Sequence, residues 1–194
     1  MCARFERIFD SEELEKRYRA AADGYSFDRR EQVFPTDETP IVRMEDGVVH
    51  IHGMKWGFNP EYLKKPVINA RCETLAEKPM FRKALVSKRC IVPASAFYEW
   101  ESVASRKVRR KIGSPTEKII SLAALYESFK QQDGVLQERF VIITTDASEY
   151  VSSIHERMPL ILAKEQEHDW LSPVSGPDDI FSLLSPYKGK LYVE

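Results

Sequence analysis

The sequence has little cysteine, and what it has is not arranged for structural use. Cys2, Cys72 and Cys90 form no Cys-x-x-Cys pair and have no histidine at metal-ligand spacing, so neither a zinc-ribbon nor a disulfide framework is expected. No apolar run approaches the roughly 18 residues that cross a bilayer, and Arg4, Glu6 and Arg7 stand where a signal peptide would be apolar. The reading is therefore a cytoplasmic protein without a membrane span. Internal repeats, low-complexity tracts and linkers are absent. So is a charge excess: the formal net charge of -1 argues against a uniformly basic nucleic-acid binder.

What is present is a chain of 194 residues with 43% hydrophobic and 30% charged residues, which predicts a single domain over residues 1–194 with one sizeable core. Charge is unevenly placed. Between Arg82 and Lys111, nine basic residues face only Glu99 and Glu101, whereas Thr145 to Glu194 holds nine acidic residues against four basic. One face can attract phosphates while the whole stays near neutral.

Local patterns predict an α+β fold, with a strand-rich, barrel-like core and peripheral helices. Asp10 or Ser11, followed by Glu13, Leu14 and Tyr18, reads as a capped amphipathic helix ending near Ala22 at Asp23-Gly24. Residues 41–44 and 48–52 read as a hairpin around Glu45-Asp46-Gly47, and Val67 to Ala70 as a further strand. Pro79 opens a helix to about Ser87 that buries Phe81, Ala84 and Leu85. Strands are expected at Cys90 to Val92, Phe97 to Glu101, Lys118 to Ala124, Phe140 to Thr145 and Leu191 to Val193. Helices are expected near Glu149, from Glu165 to Leu171 and from Asp178 to Leu184. The polar, basic stretch from Ser102 to Thr116 joins two strands and reads as a long, exposed and mobile hairpin loop.

Cys2 follows the initiator Met directly. Removal of Met1 would leave a 1,2-aminothiol, whose amine (pKa about 7.7 to 8.0) is partly neutral at cellular pH and whose thiol stands near about 8.5. Such a pair can condense with an aldehyde, the amine forming an imine and the thiol closing a five-membered thiazolidine. Five strings then occur in order: Met1-Cys2-Ala3-Arg4; Trp56-Gly57-Phe58-Asn59-Pro60; Asn69-Ala70-Arg71-Cys72-Glu73-Thr74; Arg89-Cys90-Ile91-Val92-Pro93-Ala94 leading to Phe97-Tyr98-Glu99-Trp100; and Ile154-His155-Glu156-Arg157-Met158-Pro159. Together they resemble the SOS response-associated peptidase (SRAP) family over nearly the whole chain.

The resemblance implies removal of Met1, by self-processing or otherwise, and a covalent thiazolidine between Cys2 and the ring-opened sugar of an abasic site in single-stranded DNA. It implies that Asn69 holds the amino terminus or the sugar, that Glu99 moves protons, and that His155 contacts the opened sugar hydroxyl. DNA contacts would fall to Arg4, Arg71, Arg82 and Arg157 for phosphates, Trp56 and Trp100 for base stacking, and Thr144 or Thr145 as further phosphate donors. A monomer needing no metal or organic cofactor is expected. Cys72 and Cys90 read as small core residues.

This chain carries Ala3, Ala96 and Ala124 where glycine is usual, which would hinder any left-handed backbone at those points. The residue chemistry alone also allows an N-terminal-nucleophile peptidase or amidohydrolase acting on an amide, or a non-covalent single-strand binding module in which Cys2 plays no part.

Overall fold

The computed structural model describes residues 2–131 and 134–194. In chain order the elements are β1 (Phe5–Arg7), α1 (Ser11–Tyr18), β2 (Arg30–Val33), β3 (Glu38–Glu45), β4 (Val48–Trp56), β5 (Asn69–Arg71), α2 (Pro79–Ser87), β6 (Arg89–Ala94), β7 (Ala96–Val103), β8 (Arg106–Gly113), β9 (Ile120–Lys130), β10 (Leu136–Asp146), β11 (Arg157–Pro159), β12 (Ile161–Leu162), α3 (Lys164–Leu171), α4 (Pro177–Leu183) and β13 (Tyr192–Val193).

Strands β10, β4, β3, β6 and β9 pair in that order, and β9 pairs back onto β10, so five strands close into a barrel. A second sheet, ordered β13-β8-β7-β1-β2, shares its apolar face with the barrel interior. The α+β, barrel-centred expectation matches this architecture. Side-chain alternation sorts the strand residues into two sets. Ile41, Trp56, Val92, Leu122, Phe140 and Ile142 point inward with Cys2 and Phe97. Val42, Ile51, Ile91, Ala123, Val141 and Ile143 point outward beneath the helices, against Leu14, Phe81, Ala84, Trp170 and Ile180. Each fully buried Phe, Leu or Ile contributes roughly 1.5 to 3 kcal/mol, and the two layers draw on the same strands, so barrel and helices stabilise one another.

Local chemistry accounts for most of the element ends. In α1 the Asp10 carboxylate accepts the Glu13 N–H at 3.0 Å and the Glu13 carboxylate accepts the Asp10 N–H at 3.1 Å, the capping box that the sequence announces. The helix stops four residues before Ala22, because Arg19 adopts a left-handed conformation (φ 49°, ψ 45°) as its C-cap. Glu45 pairs with Val48 across Asp46-Gly47, both at positive φ, the two-residue turn whose twist suits a hairpin. Arg89, 5% exposed, donates to the carbonyls of Leu85, Val86, Trp170 and Ser172. One guanidinium thereby satisfies the C-terminal ends of α2 and α3 together.

Two expectations are corrected. Residues 102–116 are not a loop: β7 and β8 pair from Phe97–Ile112 to Val103–Arg106, leaving a two-residue turn at Ala104-Ser105, with Ala104 at φ 52°. The run of basic residues masked this strand, because β8 is an exposed ribbon held by backbone bonds to β7 and needs no apolar alternation over most of its length. The region near Glu149 forms turns (149–154) rather than a helix. No expectation covers β1, β2, β11 and β12, which are too short to show a period. Among the described residues no helix is long and apolar enough to cross a membrane.

Candidate functional site

Cys2 lies just ahead of β1, which is gripped on one side by β7 (Phe5 opposite Phe97) and on the other by β2 (Phe5 opposite Val33). This pairing carries the start of the chain into one mouth of the barrel, where Cys2 is 0% exposed. Its thiol faces the Arg4 carbonyl at 3.5 Å. Its own carbonyl accepts from Asn69 Nδ2 at 2.8 Å. Asn69 can reach because β5 runs parallel to β10, pairing Asn69 with Ile142 and Arg71 with Thr144, and alternation sends Asn69 and Arg71 to one face while Ala70 packs outward. Asn69 Oδ1 and Thr144 Oγ1, both withdrawn from solvent, have no partner among the described residues.

Glu99 is on β7, two residues from Phe97 and on the same inward face, and is 2% exposed. Burial raises its carboxyl from 4.5 to about 7. Burial first, and then the charge of Glu99, push the Cys2 thiol up to about 12, which places the two groups within electrostatic reach and keeps the resting thiol protonated. His155 closes the turn between β10 and β11. Its Nδ1 faces the Arg157 backbone, 2.9 Å from the N–H and 3.1 Å from the carbonyl oxygen, which holds the ring in place. Burial lowers its pKa, with the Lys107 ammonium on β8 a smaller contributor, so the ring is neutral at pH 7.

The remaining candidates separate into two groups. Arg4 is half-buried, its guanidinium 4.5 Å from the Phe34 ring centroid and 5.0 Å from that of Trp100, with Nη1 donating to Gln32 at 2.8 Å. Arg71 is exposed at the end of β5, on the Asn69 face. Arg4 and Trp100 form a cationic and aromatic rim two residues along the chain from Cys2. Trp56 does not belong to it: it is 0% exposed, stacked 6.2 Å from Phe140, and donates to the Ile68 carbonyl. Thr145, 2% exposed, faces the outer layer with Val141 and Ile143, and Thr144, although inward, is 0% exposed. Arg157 is 8% exposed, its guanidinium engaged by Glu73, Asp146 and the Thr144 carbonyl. Arg82 is exposed on α2, whose buried face packs on the outer layer of the barrel, away from the inward face that carries Cys2. Of the sequence-read DNA contacts, Trp56, Thr144, Thr145 and Arg157 are thus buried, and Arg82 is exposed on α2.

Phe34, 41% exposed, was missed. A single aromatic before Pro35 carries no pattern, and only the turn after β2 brings it to Arg4. The alanines in glycine-like places are harmless: none of Ala3, Ala96 and Ala124 has a positive φ. Gly57 does need to be glycine, with φ +114° and a hypothetical Cβ 2.9 Å from Pro66 Cβ.

Known proteins share this sequence pattern and fold. The chain matches the family described as SOS response associated peptidase (SRAP) over residues 1–193. It is 43% identical over 141 residues to the abasic site processing protein YoaM of Bacillus subtilis, an alignment covering 69% of this chain and 62% of that protein, so it spans less than two thirds of that relative. It is 31% identical over 156 residues to the abasic site processing protein YedK of Escherichia coli, covering 77% of this chain and 68% of YedK. A crystal structure of a protein from Bacteroides thetaiotaomicron superposes with a TM-score of 0.90 at 29% identity, covering 99% of this chain and 90% of that one. With the barrel mouth, the buried second residue and the five motifs in place, the chain belongs to the SOS response associated peptidase (SRAP) family.

Proposed function

We propose that the mature protein captures abasic sites in single-stranded DNA as a covalent thiazolidine on Cys2. The observation that carries this reading is the burial of Cys2 beside Glu99, with its carbonyl fixed by Asn69. Removal of Met1 would free the α-amine. The amine adds to the C1′ aldehyde of the ring-opened sugar and water leaves, giving an imine; the thiol sulfur then adds to the imine carbon, the C=N π pair passes to nitrogen, which takes up the thiol proton, and the five-membered ring closes. A carboxyl titrating at about 7 holds comparable populations of acid and base near neutral pH, which suits a group that must both donate and accept during these steps. His155, neutral at pH 7, is suited to exchange a proton with the sugar hydroxyl.

The relatives' names, abasic site processing proteins, support DNA as the partner. The Arg4, Phe34 and Trp100 rim supplies a cation and two flat faces for flanking nucleotides, and Arg71 a phosphate partner. A single strand favours such a site, because a nucleotide without a base is exposed with little unstacking. Self-removal of Met1 by the Cys2 thiol is part of the reading: the thiol attacks the Met1 carbonyl, the peptide C–N bond breaks to give a thioester and a free amine, and water hydrolyses the thioester.

The test is to incubate purified protein with single-stranded abasic DNA and resolve a crosslinked band, alongside intact mass. We expect loss of one methionine in the wild type and no crosslink in Cys2→Ala. A normal crosslink in Cys2→Ala would remove Cys2 as the nucleophile. Undiminished DNA affinity of that variant together with no crosslink in the wild type would favour a non-covalent binder instead.

A further inference from the structure

The barrel has a second mouth, and its polar side chains take no part in the chemistry above. β4 enters at this end and leaves at the Cys2 end, so His50 and His52 project to the same face as Met54 and Trp56 but at the opposite extreme of the interior. Their rings lie 5.9 Å apart and 29° from parallel. The β3–β4 hairpin returns Glu45 beside them, with Oε2 3.5 Å from His52 Nε2. One donor atom from each of Glu45, His50 and His52 lies within 4.8 Å of the others. Behind this trio, Asp23 Oδ2 is 2.9 Å from His50 Nδ1, kept there by the parallel bridge between Ala21 and His50.

We propose that Glu45, His50 and His52 bind a divalent transition-metal ion of the zinc type, with Asp23 orienting His50. Two imidazoles and a carboxylate are a three-ligand zinc set that leaves a fourth position for water, whereas calcium and magnesium demand oxygen ligands throughout. A carboxylate on Nδ1 is the usual outer partner of a ligating histidine: it takes the Nδ1 proton and leaves the Nε2 lone pair for the metal. Arg43 sits nearby, but it engages Glu45 through Oε1 at 2.5 Å and Glu138 at 2.7 Å, which leaves Glu45 Oε2 turned to His52. The carboxylates of Asp23, Glu45 and Glu138 outnumber that one guanidinium, so a divalent ion neutralises the cluster. The bound ion would clip the end of the β3–β4 hairpin to the segment following α1, at the far end of the barrel from Cys2.

Zinc is titrated into the whole protein by calorimetry, and thermal unfolding is followed with and without zinc. One site per chain is expected in the wild type and, unchanged, in Cys2→Ala, with zinc raising Tm in both. In His50→Gln/His52→Gln the site and the zinc-induced rise in Tm should vanish, and in Asp23→Asn affinity should fall about 10- to 100-fold. Asp23, with 63% of its side chain exposed, decides the matter if the double variant does not fold. No zinc binding by the wild type, affinity equal to the wild type in the double variant, or an unchanged affinity in Asp23→Asn with the double variant unfolded would overturn the proposal.

Discussion

Replacing Glu99 by glutamine removes an ionisable group from a place where ionisation is costly. The side chain is 2% exposed, and burial lifts its carboxyl from 4.5 to about 7. A carboxyl whose pKa is higher in the folded chain than in the unfolded one favours folding while protonated. That contribution is complete below the unfolded value and is lost as pH rises through the folded value. At about 1.4 kcal/mol per unit, the wild type forfeits roughly 3 kcal/mol between about pH 4.5 and pH 7, and Glu99→Gln does not. The stability of Glu99→Gln relative to the wild type should therefore rise by roughly 3 kcal/mol from about pH 4 to about pH 8. For a domain of this size that is roughly 6 to 12 °C in Tm, at about 2 to 4 °C per kcal/mol. Thermal and urea unfolding followed by circular dichroism at a series of pH values measure it, with crosslinking to abasic DNA expected to drop in the same variant. Stability curves that run parallel across this range would refute the assignment of Glu99 as a buried carboxyl poised near neutrality.

Asn69→Leu should fold normally but slow crosslinking about 100-fold, since only the hold on the Cys2 carbonyl is lost; single-turnover kinetics at wild-type speed would deny Asn69 that positioning role. Arg89→Met should lose about 3 kcal/mol or more, because several helix-end carbonyls lose a charged donor at once, and a urea midpoint like that of the wild type would contradict it. Gly57→Ala should lose roughly 1 to 3 kcal/mol from its backbone strain and the contact with Pro66, read by the same unfolding measurement.

The sequence by itself determined whatever depends on neighbours in the chain. The Asp10–Glu13 capping box, the Asp46-Gly47 turn, Pro79 at the start of α2 and the alternation that turns Glu99 inward with Phe97 are local rules, and each is realised. The motifs also singled out Cys2, Asn69, Glu99 and His155 as candidates. Tertiary structure alone decided which polar and aromatic side chains face water. Trp56 and Trp100 look alike as flat aromatic surfaces in the sequence, yet closure of five strands buries the first against Phe140 and leaves the second over Arg4. Arg157 is committed to Glu73 and Asp146 by the pairing of β11 with β10, and Phe34 reaches Arg4 only through the turn after β2. Strand pairing joins residues distant in sequence, and burial is set by that pairing, so no window along the chain contains it.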